Sequence, residues 1–95
     1  MNFEAFRQSL KQSAPPPDAA PLLQALWHEA RGDWGRAHEI TQDIDGRQAA
    51  RLHAYLHRKE GDLSNAGYWY RRAGAKIYEG ALESEWETLV RDLLA

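Results

Sequence analysis

Residues Leu52 to Gly74 read LHAYLHRKEGDLSNAGYWYRRAG, and the layout of the chain follows from this run. A histidine-bearing helix leads to a Gly61-Asp62 corner and then to a second helix dense in aromatics and arginines. Glycine at 61 takes the positive φ that ends a helix, and the Asp62 carboxylate accepts from the free N–H groups of the next one. Ala54 and Ala66 are small where two antiparallel helices cross closely, so the run predicts an αα-hairpin with a very short connection.

The skeleton occurs twice. A shift of 29 residues sets Gly32 on Gly61, Asp33 on Asp62, Ala25 on Ala54, His28 on His57 and Ala37 on Ala66. Self-similarity at a fixed period is the mark of a repeat architecture. On these residues the chain resembles a tetratricopeptide repeat over roughly residues 21–76. Ala54, Gly61, Asp62, Ala66 and Ala73 fit the family pattern, with Tyr70 at its aromatic place. The first copy keeps Ala25, Gly32, Asp33, Trp34 and Ala37 but ends on Ile44. The resemblance implies stacked helical hairpins and a protein-binding role. Two features depart from it: the period is 29 instead of about 34 residues, and Gln24, His28, His53 and His57 stand where apolar residues pack between the helices. The run HAYLHRKEGDLSNAGYWYRRAG also resembles a family of small uncharacterised bacterial proteins, which implies a bacterial origin and no particular activity.

Outside the repeats, Phe3, Phe6 and Leu10 predict an amphipathic helix within residues 1–12. Pro15-Pro16-Pro17 makes residues 13–20 a stiff connector, and Asp18 is the expected cap of the next helix. The helices of the hairpins are expected to reach Arg31, Ile44, Glu60 and Lys76. Residues 81–95 form the cleanest amphipathic segment, with Leu82, Trp86, Leu89, Val90 and Leu93 on one face and Glu79, Glu83, Glu85 and Glu87 reading as a solvated one. This last helix is expected to close the open end of the repeat pair. No period-two alternation occurs, so the fold class is all-α: one compact domain, 1–95, of about six helices.

Composition narrows the function. A net charge of −2 argues against a general nucleic-acid binder. With no cysteine there is neither disulfide nor thiolate metal site. The absence of a long apolar run argues against a membrane span and makes the cytoplasm the expected location. Gly-rich phosphate loops, HExxH and calcium-loop spacings are all missing.

Two constellations remain. His53 and His57 lie four apart and share a helix face, His28 repeats the place of His57, and His38 sits on the neighbouring helix. With Glu60 they are candidate ligands for a transition metal such as zinc, or residues of a general acid–base site. The plainer expectation is that these rings are hydrogen-bonded packing residues reaching Tyr68, Tyr70, Asn65 or Gln42. The second constellation joins Arg58, Tyr68, Trp69, Arg71 and Arg72, a cationic and aromatic surface suited to a protein partner, to self-association as a homodimer, or to a small anion. Cation–π packing, together with internal ion pairs from Arg58, Lys59 or Arg71 to Glu60 and Asp62, is the alternative use of those cations. The sequence therefore favours a cofactor-free helical interaction or anion-binding module, with a small histidine-based, metal-dependent enzyme as the rival.

Overall fold

The computed structural model describes residues 1–95 as six helices without strands. They are α1 (Phe3–Ser9), α2 (Pro21–Ala30), α3 (Trp34–Gln42), α4 (Arg47–Lys59), α5 (Leu63–Arg72) and α6 (Leu82–Leu94). The two short connections are built alike. Gly32 has φ 89° and Gly61 φ 88°, values an L side chain resists. Asp33 accepts from the Arg36 N–H at 3.0 Å and Asp62 from the Asn65 N–H at 3.2 Å, capping α3 and α5. The backbone N–H of each aspartate returns to the matching histidine carbonyl, His28 or His57, at 2.9 Å. α2 thus packs on α3 and α4 on α5.

One core runs through the bundle, with Phe6, Leu26, Leu52, Leu56 and Val90 fully buried. Each such side chain contributes about 1.5–3 kcal/mol by leaving water. Ala54, Ala66 and Tyr70 form a smaller cluster at the α4–α5 crossing, where small residues let the helices approach. Three indole N–H groups are satisfied by carbonyls across the bundle: Trp27 by Ser9, Trp34 by Leu56 and Trp86 by Leu26. No helix is long and apolar enough to cross a membrane.

Several expectations are corrected. α2 starts at Pro21 with Ala20 as its cap residue, so Asp18 does not cap it; proline at the first helical position lacks the N–H that would need a partner. α1 ends at Ser9, and α3 ends at Gln42, before Ile44. α5 ends at Arg72 instead of Lys76 because Gly74 turns to φ 66° and the Ala75 N–H bonds the Tyr70 carbonyl at 3.0 Å. α6 does not close the far end of the repeat pair. It packs on α1, α2 and α4, along the first helices of both hairpins.

The acidic side of α6 is not wholly a solvated face either. Glu85 is completely buried, 2.7 Å from Arg51, 2.8 Å from Arg58 and 2.6 Å from the Tyr70 hydroxyl, which donates to it. Burial, reinforced by that hydrogen bond, pushes the Tyr70 hydroxyl up to about 12. Glu29 forms a second buried centre, accepting from Tyr55 and from Lys59, the latter at 2.5 Å. Arg58 and Lys59 therefore pair with Glu85 and Glu29, not with Glu60 and Asp62 as expected.

Candidate metal centre

Three of the four histidines meet between α3, α4 and α5. Residues four apart on a helix lie one above the other, so His53 and His57 project from the same face of α4. Their rings stack with centroids 5.1 Å apart. His38 comes from α3 and brings its Nε2 to 3.0 Å from the Nε2 of His53. One ligand atom from each of His38, His53 and His57 lies within 4.8 Å of the others. Nitrogens on a tetrahedral zinc are about 3.3 Å apart, given Zn–N bonds of about 2.0–2.1 Å. The His38–His53 pair is already near that spacing. His53 and His57 are each only 6% exposed, whereas His38 is half-buried and marks the open side.

Aromatic walls hold the rings. Trp34 stacks on His38 at 4.9 Å, and Trp69 stacks on His53 at 3.9 Å with the planes 10° apart. Trp34 is four residues before His38, so the two share a face of α3. Its indole N–H is spent on the Leu56 carbonyl at 2.7 Å, which fixes the ring and leaves it no ligand atom. The Arg72 guanidinium also lies over the Trp69 ring, 5.5 Å from its centroid.

Glu60 sits at the back of the cluster. Its Oε1 is 2.6 Å from His57 Nδ1, the geometry in which a carboxylate accepts a hydrogen bond from Nδ1–H and leaves Nε2 free for a cation. Glu60 is accordingly an orienting group for His57, and His57, Glu60 and Asp62 form a second, more exposed set of donors. Asn65 of α5 brings its side-chain nitrogen to 3.4 Å from His57 Nε2.

His28 stays outside. It lies at the end of α2, edge-on to Trp27 with centroids 5.2 Å apart. The two hairpins differ at the matching positions of the 29-residue shift. Gln24 occupies the place of His53 in the first copy, and Gly67 that of His38 in the second, so only one hairpin junction can assemble three imidazoles. The expected bridges to Tyr68, Tyr70 and Gln42 are replaced by contacts among the histidines themselves and with Glu60 and Asn65.

The environment favours the uncharged form of His53 and His38. Burial pushes His53 down to about 4, and the neighbouring His38 and His57 add to the effect. His38 is lowered as well, chiefly by burial and then by His57. Neutral imidazole is the metal-binding form. The sign for stability follows directly. An ordinary histidine near 6.5 takes up a proton in the unfolded chain before His53 does in the folded one. The stabilisation is complete above that value and is lost as pH falls toward 4. Because the cluster has an open side, about 1–2 kcal/mol is expected, less than an unscreened shift would give. Urea midpoints at pH 7 and pH 5 measure it, and His53→Gln should flatten the interval.

The cationic–aromatic set does not assemble as one surface. Arg58 turns inward to Glu85 and the Gly80 carbonyl, so it is no part of an exposed patch. Tyr70 is buried, Tyr68 is 41% exposed, and the Tyr68 hydroxyl accepts from Arg72 at 2.8 Å. Arg71 and Arg72 are exposed. Trp34 and the buried Glu29 and Glu85 centres were not singled out from the sequence. The i, i+4 spacing of Trp34 and His38 was the one available signal. Comparison with protein-family models, curated proteins and solved structures finds no match for the chain.

Proposed function

We propose that the protein is a metal-binding protein that holds one divalent transition ion, with zinc as the leading candidate, on His38, His53 and His57. The observation that carries this reading is the convergence of three imidazole ligand atoms within 4.8 Å, from two different helices. Three further features support it: the neutral state favoured for His53 and His38, the carboxylate on His57 Nδ1, and tryptophan walls that fix two rings without supplying ligands. Nitrogen-only donors suit zinc, copper or nickel better than calcium or magnesium. Three protein ligands leave one position of a tetrahedron open, the pattern of a site that binds or acts on something, whereas a fourth residue would close it.

The test is elemental analysis of untagged protein equilibrated with zinc and then desalted. Near one equivalent is expected in the parent and next to none in His57→Ala, while His28→Ala keeps its full complement. Zinc retained by both variants, or by neither the parent nor the variants, overturns the assignment.

A second reading, protein contact or self-association through α5, rests on the exposed Leu63, Tyr68 and Ile77 together with Arg71 and Arg72. Arg58 has no part in it.

A further inference from the structure

The charge of the three-histidine set points to what its open position takes. Three neutral imidazoles bring no negative charge to a divalent cation. Of the two carboxylates near His57, Glu60 is engaged on its Nδ1 and Asp62 caps α5 by accepting from the Asn65 N–H. The loaded site keeps most of a double positive charge in a recess that is largely removed from water, where electrostatic attraction is stronger than at the surface. The walls offer nothing to neutralise it. Trp69 has no lone pair to give, and the Trp34 N–H is committed to Leu56.

Asn65 supplies a complementary group. Its side-chain nitrogen lies 3.4 Å from His57 Nε2 and 3.5 Å from Nδ1, against the ring of one of the three candidate ligands. Those long approaches to the His57 ring are the only polar contacts of that amide nitrogen, which keeps donor capacity to spare. α5 holds it there through the Asp62 cap, which receives the Asn65 backbone N–H at 3.2 Å.

Resting on the metal assignment above, we infer that the open position binds a small coordinating monoanion, with the Asn65 amide donating a hydrogen bond to it. The site would then be an anion-binding metal centre: the cation attracts the anion and Asn65 orients it. A hydrogen bond to a charged partner makes about tenfold in affinity a fair expectation for the Asn65 contribution.

Cobalt(II) and azide test this on the full, untagged chain. Cobalt replaces zinc and reports its ligands through visible absorption. Titration of cobalt into the protein should give intense bands of a low-coordinate nitrogen site, absent in His57→Ala. Azide added to the cobalt protein should then shift those bands saturably. Asn65→Ala is expected to bind cobalt as the parent does and azide about tenfold more weakly. Bands that form with cobalt but ignore azide overturn the anion inference and leave the metal assignment standing. No cobalt bands at all overturn both, at the metal step. Equal azide affinity in parent and Asn65→Ala removes Asn65 from the site.

Discussion

Replacing Glu85 by alanine is expected to remove about 3–5 kcal/mol of stability, the loss that follows from orphaning buried charge. Glu85 has no exposed surface and accepts from three side chains: Arg51 and Arg58 at 2.7 and 2.8 Å, and the Tyr70 hydroxyl at 2.6 Å. The two arginines come from α4, the tyrosine from α5 and the glutamate from α6, so one carboxylate ties three helices. Without it, two arginine side chains that are only 18% exposed lose their counter-charge together. Domains of this size are stable by only about 5–15 kcal/mol, so the variant should unfold at a much lower urea concentration. Glu87→Ala on the same helix is the comparison. Its ion pair with Arg91 is exposed, and such pairs are worth about 0–1 kcal/mol. A Glu85→Ala midpoint as close to the parent as that of Glu87→Ala would show that the buried network adds nothing net.

The second large effect is metal-linked stability. A ligand that binds only the folded chain adds stability by mass action, about 2.7 kcal/mol at a hundredfold excess over its Kd. Zinc on His38, His53 and His57 would bridge α3 of the first hairpin to α4 of the second. Thermal midpoints should therefore rise with zinc concentration in the parent and stay fixed in His57→Ala. The gain should shrink as pH falls toward 4, where His53 takes up a proton that competes with the cation for the same nitrogen. A rise that persists in His57→Ala would place the binding elsewhere.

What could be read from the sequence and what could not divides along physical lines. The Gly61-Asp62 corner, its copy at Gly32-Asp33 and the small residues Ala54 and Ala66 are local signals. They state a backbone conformation or a close approach within a few residues, and the chain adopts them. The shared face of His53 and His57 is of the same kind, since helical periodicity alone fixes it. The meeting of His38 with His53 is different. It spans 15 residues and depends on how α3 crosses α4, a matter of packing that no spacing rule encodes. Glu85 was least legible of all. Among four glutamates at the start of a helix, the default is a solvated face, and the arginine that claims it most closely lies 34 positions away. Arg58 was misread for the matching reason: a cation near aromatics suggests a surface anchor until its carboxylate is found.

The stacking of Trp34 on His38 and Trp69 on His53 has a spectroscopic side. The chain has four tryptophans, and the other two, Trp27 and Trp86, are held by carbonyls of Ser9 and Leu26, outside the cluster of His38, His53 and His57. A paramagnetic ion at the cluster would lie one imidazole away from two indoles and quench their emission, leaving the second pair bright. With a metal bound there, the molecule would carry its own optical gauge of occupancy. The unquenched pair serves as an internal standard for the folded state, and no label has to be attached.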